Sequence, residues 1–248
     1  PCEPACRRGR VEETPVAICR LKRVAADFKD DVKHRMPKPL AKNGKRIALV
    51  GGGPASLAVA RDLAPLGYHC TVFDSDPKAG GMMRSQIPKF RLPDAVIDEE
   101  CDYILNLGIE FRGGQRIDSL KALLAEDWDA IFVGSGAPRG RDLEIPGRKE
   151  AAKNIHIGID WLSSVSFGHI DKIGKRVVVL GGGNTAMDCC RSARRLGGEQ
   201  VDVVVRSGFE EMKASPWEKE DAMHEGIPIL NYLVPKEFTH KGGRLSGV

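Results

Sequence analysis

The sequence of 248 residues has no apolar run that approaches the ~18 residues of a membrane-spanning helix. It also has no recognisable signal peptide, so neither membrane insertion nor secretion is predicted. The 38 basic and 34 acidic residues leave a formal net charge of only +4, which gives no argument for nucleic acid or a membrane surface as a partner. A hydrophobic content of 42% is ordinary for a soluble globular protein.

Several common catalytic patterns are also missing. The six histidines have no metal-ligand spacing, and neither a nucleophile elbow nor a paired-carboxylate pattern is present. Because no C-x-x-C motif occurs, a dithiol-exchanging flavoenzyme is disfavoured. An odd number of cysteines, seven, spread through α/β patterns is typical of a reduced cytoplasmic protein rather than a disulfide framework. Four acidic residues are interpreted as a solvated face: Glu210, Glu211, Glu218 and Glu220.

One pattern occurs twice in the chain. Lys45–Val50 leads into Gly51–Gly53, and Lys175–Leu180 leads into Gly181–Gly183. Each is a short apolar run, a glycine turn and a helix-like stretch, which is the arrangement that holds a dinucleotide pyrophosphate. Two copies predict two dinucleotides side by side, and therefore hydride transfer between them.

The first copy consists of Gly51, Gly52, Gly53, Pro54, Ala55 and Ser56. Its first glycine allows the tight turn, its second lets backbone N–H groups approach phosphate, and the third motif position packs the helix on the strand. Ser56 stands at that third position, where it adds a side chain to a tight contact. Asp74 ends the next strand, where an acid accepts hydrogen bonds from a ribose. These features together favour nucleotide binding over a simple turn.

The second copy consists of Gly181, Gly182, Gly183, Asn184, Thr185 and Ala186. The next strand ends at Val205 and Arg206, so no acid repels a 2′-phosphate and an arginine can pair with one. NADP(H) is therefore favoured over NAD(H); the alternative interpretation of Arg206 is a solvated charge at a strand end.

The cysteines give two further signals. Cys2 and Cys6 lie in a C-x-x-x-C pattern beside a basic segment and can ligate an iron–sulfur cluster, but a cluster needs about four ligands. Cys189 and Cys190 are adjacent in a predicted helix, where neighbours point ~100° apart. They are interpreted as small packing residues, not as a redox pair.

Alternating strand and helix patterns predict a parallel or mixed sheet covered by helices. The predicted strands are Arg46–Val50, Cys70–Phe73, Ile109–Phe111, Ala130–Val133, Arg176–Leu180, Val201–Val205 and Ile227–Leu230. The predicted helices are residues 18–28, 54–66, Asp94–Leu107, Leu120–Leu124, Thr185–Leu196 and Glu218–His224. Met36–Gly44 is predicted as a linker, residues 75–93 as a loop, and Lys236–Thr239 with Arg244–Val248 as a hairpin.

Longer motifs carry a resemblance to a known family. They are Pro1–Gly9, Pro15–Ile18, Leu21–Asp27, Gly80–Arg84, Ile87–Pro93, Gly181–Asp188 and Glu210–Met212. Together they resemble the small subunit of NADPH-dependent glutamate synthase and its relatives over nearly the whole chain. Those relatives include the flavin/NADP part of dihydropyrimidine dehydrogenase and the large subunit of NADH-dependent ferredoxin:NADP oxidoreductase.

The resemblance implies an α/β fold with two Rossmann-like dinucleotide-binding domains, preceded by the remnant of a helical iron–sulfur domain. The implied order is the end of the iron–sulfur domain with a linker (1–43), an FAD-binding domain (44–150), a connection (151–174) and an incomplete NAD(P)-binding domain (175–248). We expect the chain to be an internal portion of a longer protein, or its ordered part, because it begins within a cysteine motif and ends in a hairpin with no sheet to join.

The resemblance also implies the site residues. FAD contacts are implied at Gly51, Gly53, Pro54, Ala55, Ser56, Asp74, Gly81, Met82, Arg84 and Arg91. NADP(H) contacts, or NAD(H) contacts in the alternative, are implied at Gly181, Gly183, Asn184, Thr185 and Arg206. Cys2 and Cys6 become [4Fe–4S] ligands whose partner cysteines lie upstream. Ser56 and Ser207 depart from the common family pattern.

The leading hypothesis is an NAD(P)H-dependent FAD/iron–sulfur oxidoreductase module that exchanges electrons with a partner subunit. The alternative is a non-catalytic electron-transfer or scaffold subunit of a larger redox complex, of glutamate synthase, formate dehydrogenase or bifurcating type, with one vestigial nucleotide site. A third class is a regulator that senses dinucleotides without flavin. The leading hypothesis requires the two glycine turns to face each other across a shared cleft.

Overall fold

The computed structural model describes residues 2–248, and the chain divides into two units after Lys38, within the predicted linker. Pro1, the first residue of the predicted cysteine motif, lies outside the described residues. In the smaller unit, helix α1 (Ile18–Asp27) lies between two short 3-10 turns, Arg7–Arg10 and Lys33–Arg35. Helix α1 confirms the predicted helix, and its apolar residues Leu21 and Val24 are exposed.

The larger unit, residues 39–248, alternates strands and helices as predicted. Its strands are β1 (Arg46–Val50), β2 (His69–Phe73), β3 (Glu110–Arg112), β4 (Ala130–Val133), β5 (Arg176–Leu180), β6 (Gln200–Val204), β7 (Ile229–Leu230), β8 (Thr239–Lys241) and β9 (Arg244–Gly247). Its helices are α2 (Pro54–Leu63), α3 (Met82–Ser85), α4 (Asp94–Leu105), α5 (Leu120–Leu124), α6 (Gly158–Ser166), α7 (Asn184–Arg195) and α8 (Pro216–His224). Most boundaries lie within two residues of the predicted ones.

The first sheet contains four parallel strands in the order β3-β2-β1-β4. Leu49 of β1 pairs with Val72 of β2 on one side and with Phe132 of β4 on the other. Because β1 has its sequence neighbour on one side and β4 on the other, the strand order reverses beside β1. Ligands of open parallel sheets bind at the carboxyl ends of the strands at this reversal, and the first glycine turn leaves β1 there.

The second sheet is parallel with the order β5-β6-β7, and α7 covers it. Its core includes Met187, Cys190 and Val203, all fully buried. The two sheets confirm the expected Rossmann-like α/β fold class.

Helix α6 lies in the connection 151–174 and is not predicted from the sequence. It contains one glycine and three serines, which have weak helix propensity. Trp161 and Leu162 are nevertheless buried in the core of the second sheet, and α6 packs against α7. Burial of this apolar pair stabilises a helix that propensity alone would not.

The predicted C-terminal hairpin forms, with β8 antiparallel to β9, but its first strand begins at Thr239 and not at Lys236. A two-stranded hairpin is marginally stable alone. Here the buried Phe238 donates its backbone N–H to the carbonyl of Pro146 at 2.8 Å, and the amide of Leu245 bonds the side-chain oxygen of Asn154 at 3.2 Å. These contacts hold the hairpin on the segment that follows the first sheet. In the described chain, no helix is both long and apolar enough to cross a membrane.

Candidate functional site

The first glycine turn is pressed against the end of strand β4. Gly51 has φ +99°, and a Cβ at this position would lie 2.5 Å from the carbonyl oxygen of Gly134. Only glycine tolerates both the backbone angle and the contact. Helix α2 then begins after Gly53 with no side-chain cap. Its first N–H groups therefore lack intrahelical partners and are available to an anion such as a pyrophosphate.

Asp74 lies immediately after β2 and is bound to the turn. Its carboxylate accepts hydrogen bonds from the amides of Gly52 and, at 2.8 Å, Asp76. Burial, and then the charge of Asp74, raise the pKa of Asp76. The strand-end acid is thereby held next to the glycine turn, at the position predicted for a ribose contact.

Ser56 is fully buried where α2 packs on the sheet, as its motif position predicts. Its Oγ has no hydrogen-bond partner within residues 2–248. A Cβ at Gly134 would lie 2.4 Å from this oxygen. The absence of a side chain at Gly134 therefore makes room for the serine at a position where glycine is the more common residue.

The loop predicted to contact flavin packs on the first turn. Gly81 lies so close to it that an added Cβ would be 2.6 Å from the Cα of Gly53. The buried guanidinium of Arg84 donates to the carbonyl of Ala79 at 2.8 Å and to Asp98 of α4 at 2.7 Å. The hydrogen bond from Arg84 lowers the pKa of Asp98. Arg84 thus anchors the loop to α4, and its contact with flavin stays a prediction.

Three other residues predicted to contact flavin are placed by the same turn and loop. Pro54 and Ala55 form the exposed first turn of α2, and Met82, which begins α3, is 49% exposed. These residues therefore present surface to solvent around the glycine turn, which is where the resemblance requires a ligand.

The second glycine turn leaves β5 and leads into α7, which begins after Gly183 without a side-chain cap. A Cβ at Gly183 would meet no atom within 4 Å, so this position faces open space. The side-chain oxygen of Asn184 accepts from the amide of Ser215 at 2.8 Å, while Thr185 is exposed. Asn184 therefore ties a later segment to the turn, and the N-terminus of α7 remains open to an anion.

Arg206 follows the end of β6 and is exposed, as predicted. It makes no ion pair with any residue in the described part of the chain. The loop around it is held at both ends. The carbonyl of Ser207 accepts from Asn231 at 2.9 Å, and the amide of Gly208 bonds Glu211 at 3.1 Å. A fixed loop with a free guanidinium is suited to pairing with a phosphate.

The two sheets of the larger unit are joined by a cluster of ionic side chains. Arg91, in the loop Ile87–Pro93, donates to both carboxylate oxygens of Asp188 on α7, at 2.7 and 2.9 Å. It also pairs with Glu218 of α8 at 2.5 Å. The interpretation of Glu218 as a solvated residue is wrong, because this carboxylate is buried and bound by Arg91 and Arg191.

Phe90, next to Arg91, lies under two arginines of α7. Its ring centre is 5.0 Å from the guanidinium carbon of Arg191 and 3.9 Å from that of Arg195, which are cation–π distances. Both arginines also pair with Glu225, and the hydrogen bond from Arg195 contributes most to lowering the pKa of that carboxyl. The loop from the first sheet is therefore bound to α7 through both charge and ring contacts.

The cysteines near the N-terminus do not complete a metal site. Among residues 2–248, no three histidine, cysteine or acidic side chains lie close enough to hold a metal ion. Cys2 and Cys6 would account for only two of the roughly four ligands that a cluster needs. Hydrogen bonds from the backbone, that of Val16 first, lower the pKa of Cys6 and favour its thiolate. The described residues alone therefore do not complete such a site.

Cys189 and Cys190 are confirmed as packing residues. Both are buried in α7, and burial raises the pKa of each thiol to about 12. All seven cysteines are free thiols in the described structure.

We predict that the cysteines differ sharply in reactivity. In the native protein at neutral pH, the exposed Cys19 is expected to be alkylated far faster than the buried Cys189 and Cys190, whose thiolate fraction is on the order of 10³-fold below that of an ordinary thiol. Timed iodoacetamide labelling with peptide mass spectrometry checks this, and denatured protein is the control. Labelling of Cys189 at the rate of Cys19 would show that Cys189 is not buried in α7.

Two parts of the site are missed by the sequence predictions. Gly134 and Ser135 follow β4 and lie against Gly51 of the first glycine turn. A glycine pattern directly after an apolar run was a readable signal for them. The pair of Arg91 and Asp188 lies 97 residues apart in sequence, and no local pattern reveals it.

Two parallel sheets, each with a glycine turn at the start of a helix and joined through buried ion pairs, define a fold with two dinucleotide-binding lobes. The profile of the pyridine nucleotide-disulphide oxidoreductases matches residues 45–248. The chain belongs to this family.

Relatives of known sequence fit this assignment. The NADPH-Fe(3+) oxidoreductase subunit beta of Geobacter sulfurreducens is 37% identical over 243 residues, which are 95% of this chain and 36% of that protein. The glutamate synthase (NADPH) small chain of Mycobacterium tuberculosis is 32% identical over 274 residues, which cover 100% of this chain and 56% of that protein. The chain therefore spans well under two thirds of either relative.

A solved structure shares the fold. FprA of Mycobacterium tuberculosis in complex with NADPH aligns with a TM-score of 0.64 at 19% identity, over 82% of this chain and 66% of that one. At this identity the match supports the two-lobed architecture and nothing finer. The resemblance to the glutamate synthase small chain is confirmed by the sequence relatives.

Proposed function

We propose that this chain is an NAD(P)H-dependent flavoprotein oxidoreductase module, with FAD at the first glycine turn and NADP(H) at the second. The observation that carries the proposal is the ionic contact between the lobes. Arg91 lies in the loop predicted to contact flavin, and Asp188 lies on the helix that starts at the second turn. This contact brings the elements that follow the two turns together, as a shared cleft requires.

The residues of the first turn fit FAD. Gly51 and Gly53 bring the backbone close to the ligand, and the N-terminus of α2 offers free N–H groups to the pyrophosphate. Asp74 is held at the strand end, where it can accept a bond from ribose. Gly81 packs on the turn, which places its loop beside the same ligand.

The residues of the second turn fit NADP(H). Gly181 and Gly183 form the open turn, and the N-terminus of α7 is uncapped. Arg206 has no protein partner among the described residues and is free to pair with a 2′-phosphate. NADPH also appears in the names of both relatives and of the FprA complex. NAD(H) remains the alternative cofactor.

The bound cofactors would supply the redox chemistry, a hydride passing from nicotinamide C4 to flavin N5 with oxidation of NADPH and reduction of FAD. This chain's residues bind the two dinucleotides and hold the lobes in one orientation. No side-chain acid or base is needed for that transfer, in agreement with the lack of such a motif.

We further propose that the protein works as one subunit of a larger redox complex. Both relatives are named as subunits, a beta subunit and a small chain. Cys2 and Cys6 would contribute to a [4Fe–4S] cluster completed outside this chain's described cysteines, through which electrons would reach the partner.

Anaerobic titration of the full-length protein with NADPH, then NADH, tests the proposal. We expect co-purified FAD and bleaching of its visible absorption band by NADPH at lower concentration than by NADH. A flavin bleached by dithionite but by neither nucleotide would contradict the proposal and favour the electron-transfer scaffold. A colourless protein that binds NADP⁺ would favour the dinucleotide sensor.

A further inference from the structure

The order of the second sheet fixes the direction in which a dinucleotide on it extends. The pyrophosphate position is at the turn between β5 and α7, and the ribose position is at the end of β6, beside Arg206. Because the strand order is β5-β6-β7, the line from the turn through the end of β6 continues to the end of β7. The adenine of NADP(H) is therefore expected near the residues that follow β7. This step rests on the proposed function.

Tyr232 lies just beyond β7 and has two unusual properties. Its backbone φ is +60°, a left-handed angle that is rare for a bulky residue without a functional or structural reason. Its side chain is also 76% exposed, so its ring is not part of the hydrophobic core. Burial of the ring therefore does not compensate for the backbone strain.

Neighbouring contacts hold Tyr232 in this conformation. On one side, Asn231 donates to the carbonyl of Ser207 at 2.9 Å. On the other side, the amide of Leu233 donates to the carbonyl of Val205 at 3.1 Å. The aromatic side chain lies over Gly208, where an added Cβ would be 2.5 Å from the tyrosine oxygen. The ring is thus fixed against the loop that carries Arg206.

We propose that Tyr232 is the platform on which the adenine of the pyridine nucleotide stacks. A fixed and largely exposed aromatic ring offers a flat apolar surface to a base, and such stacking is favourable for any base. Arg206 and Tyr232 would then recognise different parts of the nucleotide. Arg206 contacts the 2′-phosphate found only in NADP(H), whereas Tyr232 contacts the adenine that NADP(H) and NAD(H) share.

Calorimetric titration of the full-length protein with NADP⁺ and with NAD⁺ tests this division. Tyr232→Asn keeps a residue that tolerates the left-handed backbone but removes the ring. We expect it to raise Kd for both nucleotides by a similar factor, about tenfold. Tyr232→Phe keeps the ring and is expected to bind like the wild type. Arg206→Gln is expected to weaken NADP⁺ alone.

Two controls separate stacking from a structural effect. Tyr232→Gly removes the ring and also the backbone strain of the left-handed angle. We therefore expect weakened nucleotide binding but a melting temperature no lower than that of the wild type. Phe28→Ala removes another aromatic side chain that is largely exposed and lies far from Tyr232 in the sequence, and Kd should not change.

The outcomes are distinct. Wild-type affinity in both Tyr232→Asn and Tyr232→Gly would overturn the platform and leave the proposed function intact. Loss of affinity in Tyr232→Phe equal to that in Tyr232→Asn would also overturn it, because the hydroxyl rather than the ring would then act. A wild-type protein that binds neither nucleotide would overturn the platform together with the proposed function.

Discussion

Arg91→Met is expected to lower the free energy of unfolding by about 3–5 kcal/mol, because it leaves the buried Asp188 without its ion-pair partner and removes one of the two arginines that bind the buried Glu218. Asp188 and Glu218 are buried, and each bonds Arg91 directly. Burial raises the pKa of Asp188, and Arg91 is the main group that opposes the rise. Without Arg91, Asp188 is expected to take up a proton more readily. Urea unfolding followed by circular dichroism measures the loss.

The same substitution is expected to slow flavin reduction by NADPH more than it changes flavin content, because Arg91 joins the lobes. Arg91→Lys keeps the charge but loses the two-pronged geometry, so we expect it to restore part of the stability and rate. Arg112→Met is the matched control. It removes an arginine whose ion pair with Glu110 is about 40% exposed on both sides, and at most about 1 kcal/mol should be lost.

A double-mutant cycle tests whether the loss of stability in Arg91→Met comes from its contact with Asp188. Asp188→Asn combined with Arg91→Met should cost less than the sum of the two single substitutions, because the residues are in direct contact. Additive losses, or a loss in Arg91→Met no larger than in Arg112→Met, would show that the ionic contact between the lobes contributes nothing specific.

Gly51→Ala is expected to abolish FAD binding and to destabilise the protein by about 3–5 kcal/mol. The new Cβ would require a left-handed backbone angle and would collide with the carbonyl oxygen of Gly134. Gly51 and Gly134 directly follow the paired strands β1 and β4, and their amides donate to the carbonyls of Phe73 and Val50, so neither backbone can move without disturbing the sheet. Flavin content per protein and urea unfolding measure the two effects.

Gly114→Ala separates the backbone angle from the collision. Gly114 has φ +72°, but an added Cβ there would meet no atom within 4 Å. We expect a loss of only about 1 kcal/mol and normal flavin content. Equal losses of stability and of flavin content in Gly51→Ala and Gly114→Ala would show that the first turn is not tightly packed against β4.

The parts of the fold predicted from the sequence are those with strong local signals. Apolar runs followed by glycines located β1 and β5 to the residue, and the Cys189–Cys190 pair was correctly placed in a helix interior. Helix α6 was not predicted because its stability comes from Trp161 and Leu162 in a core assembled from distant segments. Local propensity carries no information about such packing.

The candidate site follows the same rule: residues in a local motif were predicted, and contacts between distant segments were not. Turn residues such as Gly51 and Gly183 follow from a motif whose spacing reflects its geometry. Glu218 was misinterpreted because a run of charged residues on a short helix reads as a solvated face. Its burial depends on Arg91, an arginine from another lobe, and only the three-dimensional structure shows that pairing.

The central claim is direct hydride transfer between two dinucleotides held by one chain. Anaerobic stopped-flow reduction of the flavin, with NADPH deuterated at one or the other C4 position, tests it most directly. The account predicts slower bleaching with one stereoisomer and an unchanged rate with the other, because a fixed cleft presents a single face of the nicotinamide. Equal rates with both stereoisomers, or a flavin that only dithionite reduces, would contradict it.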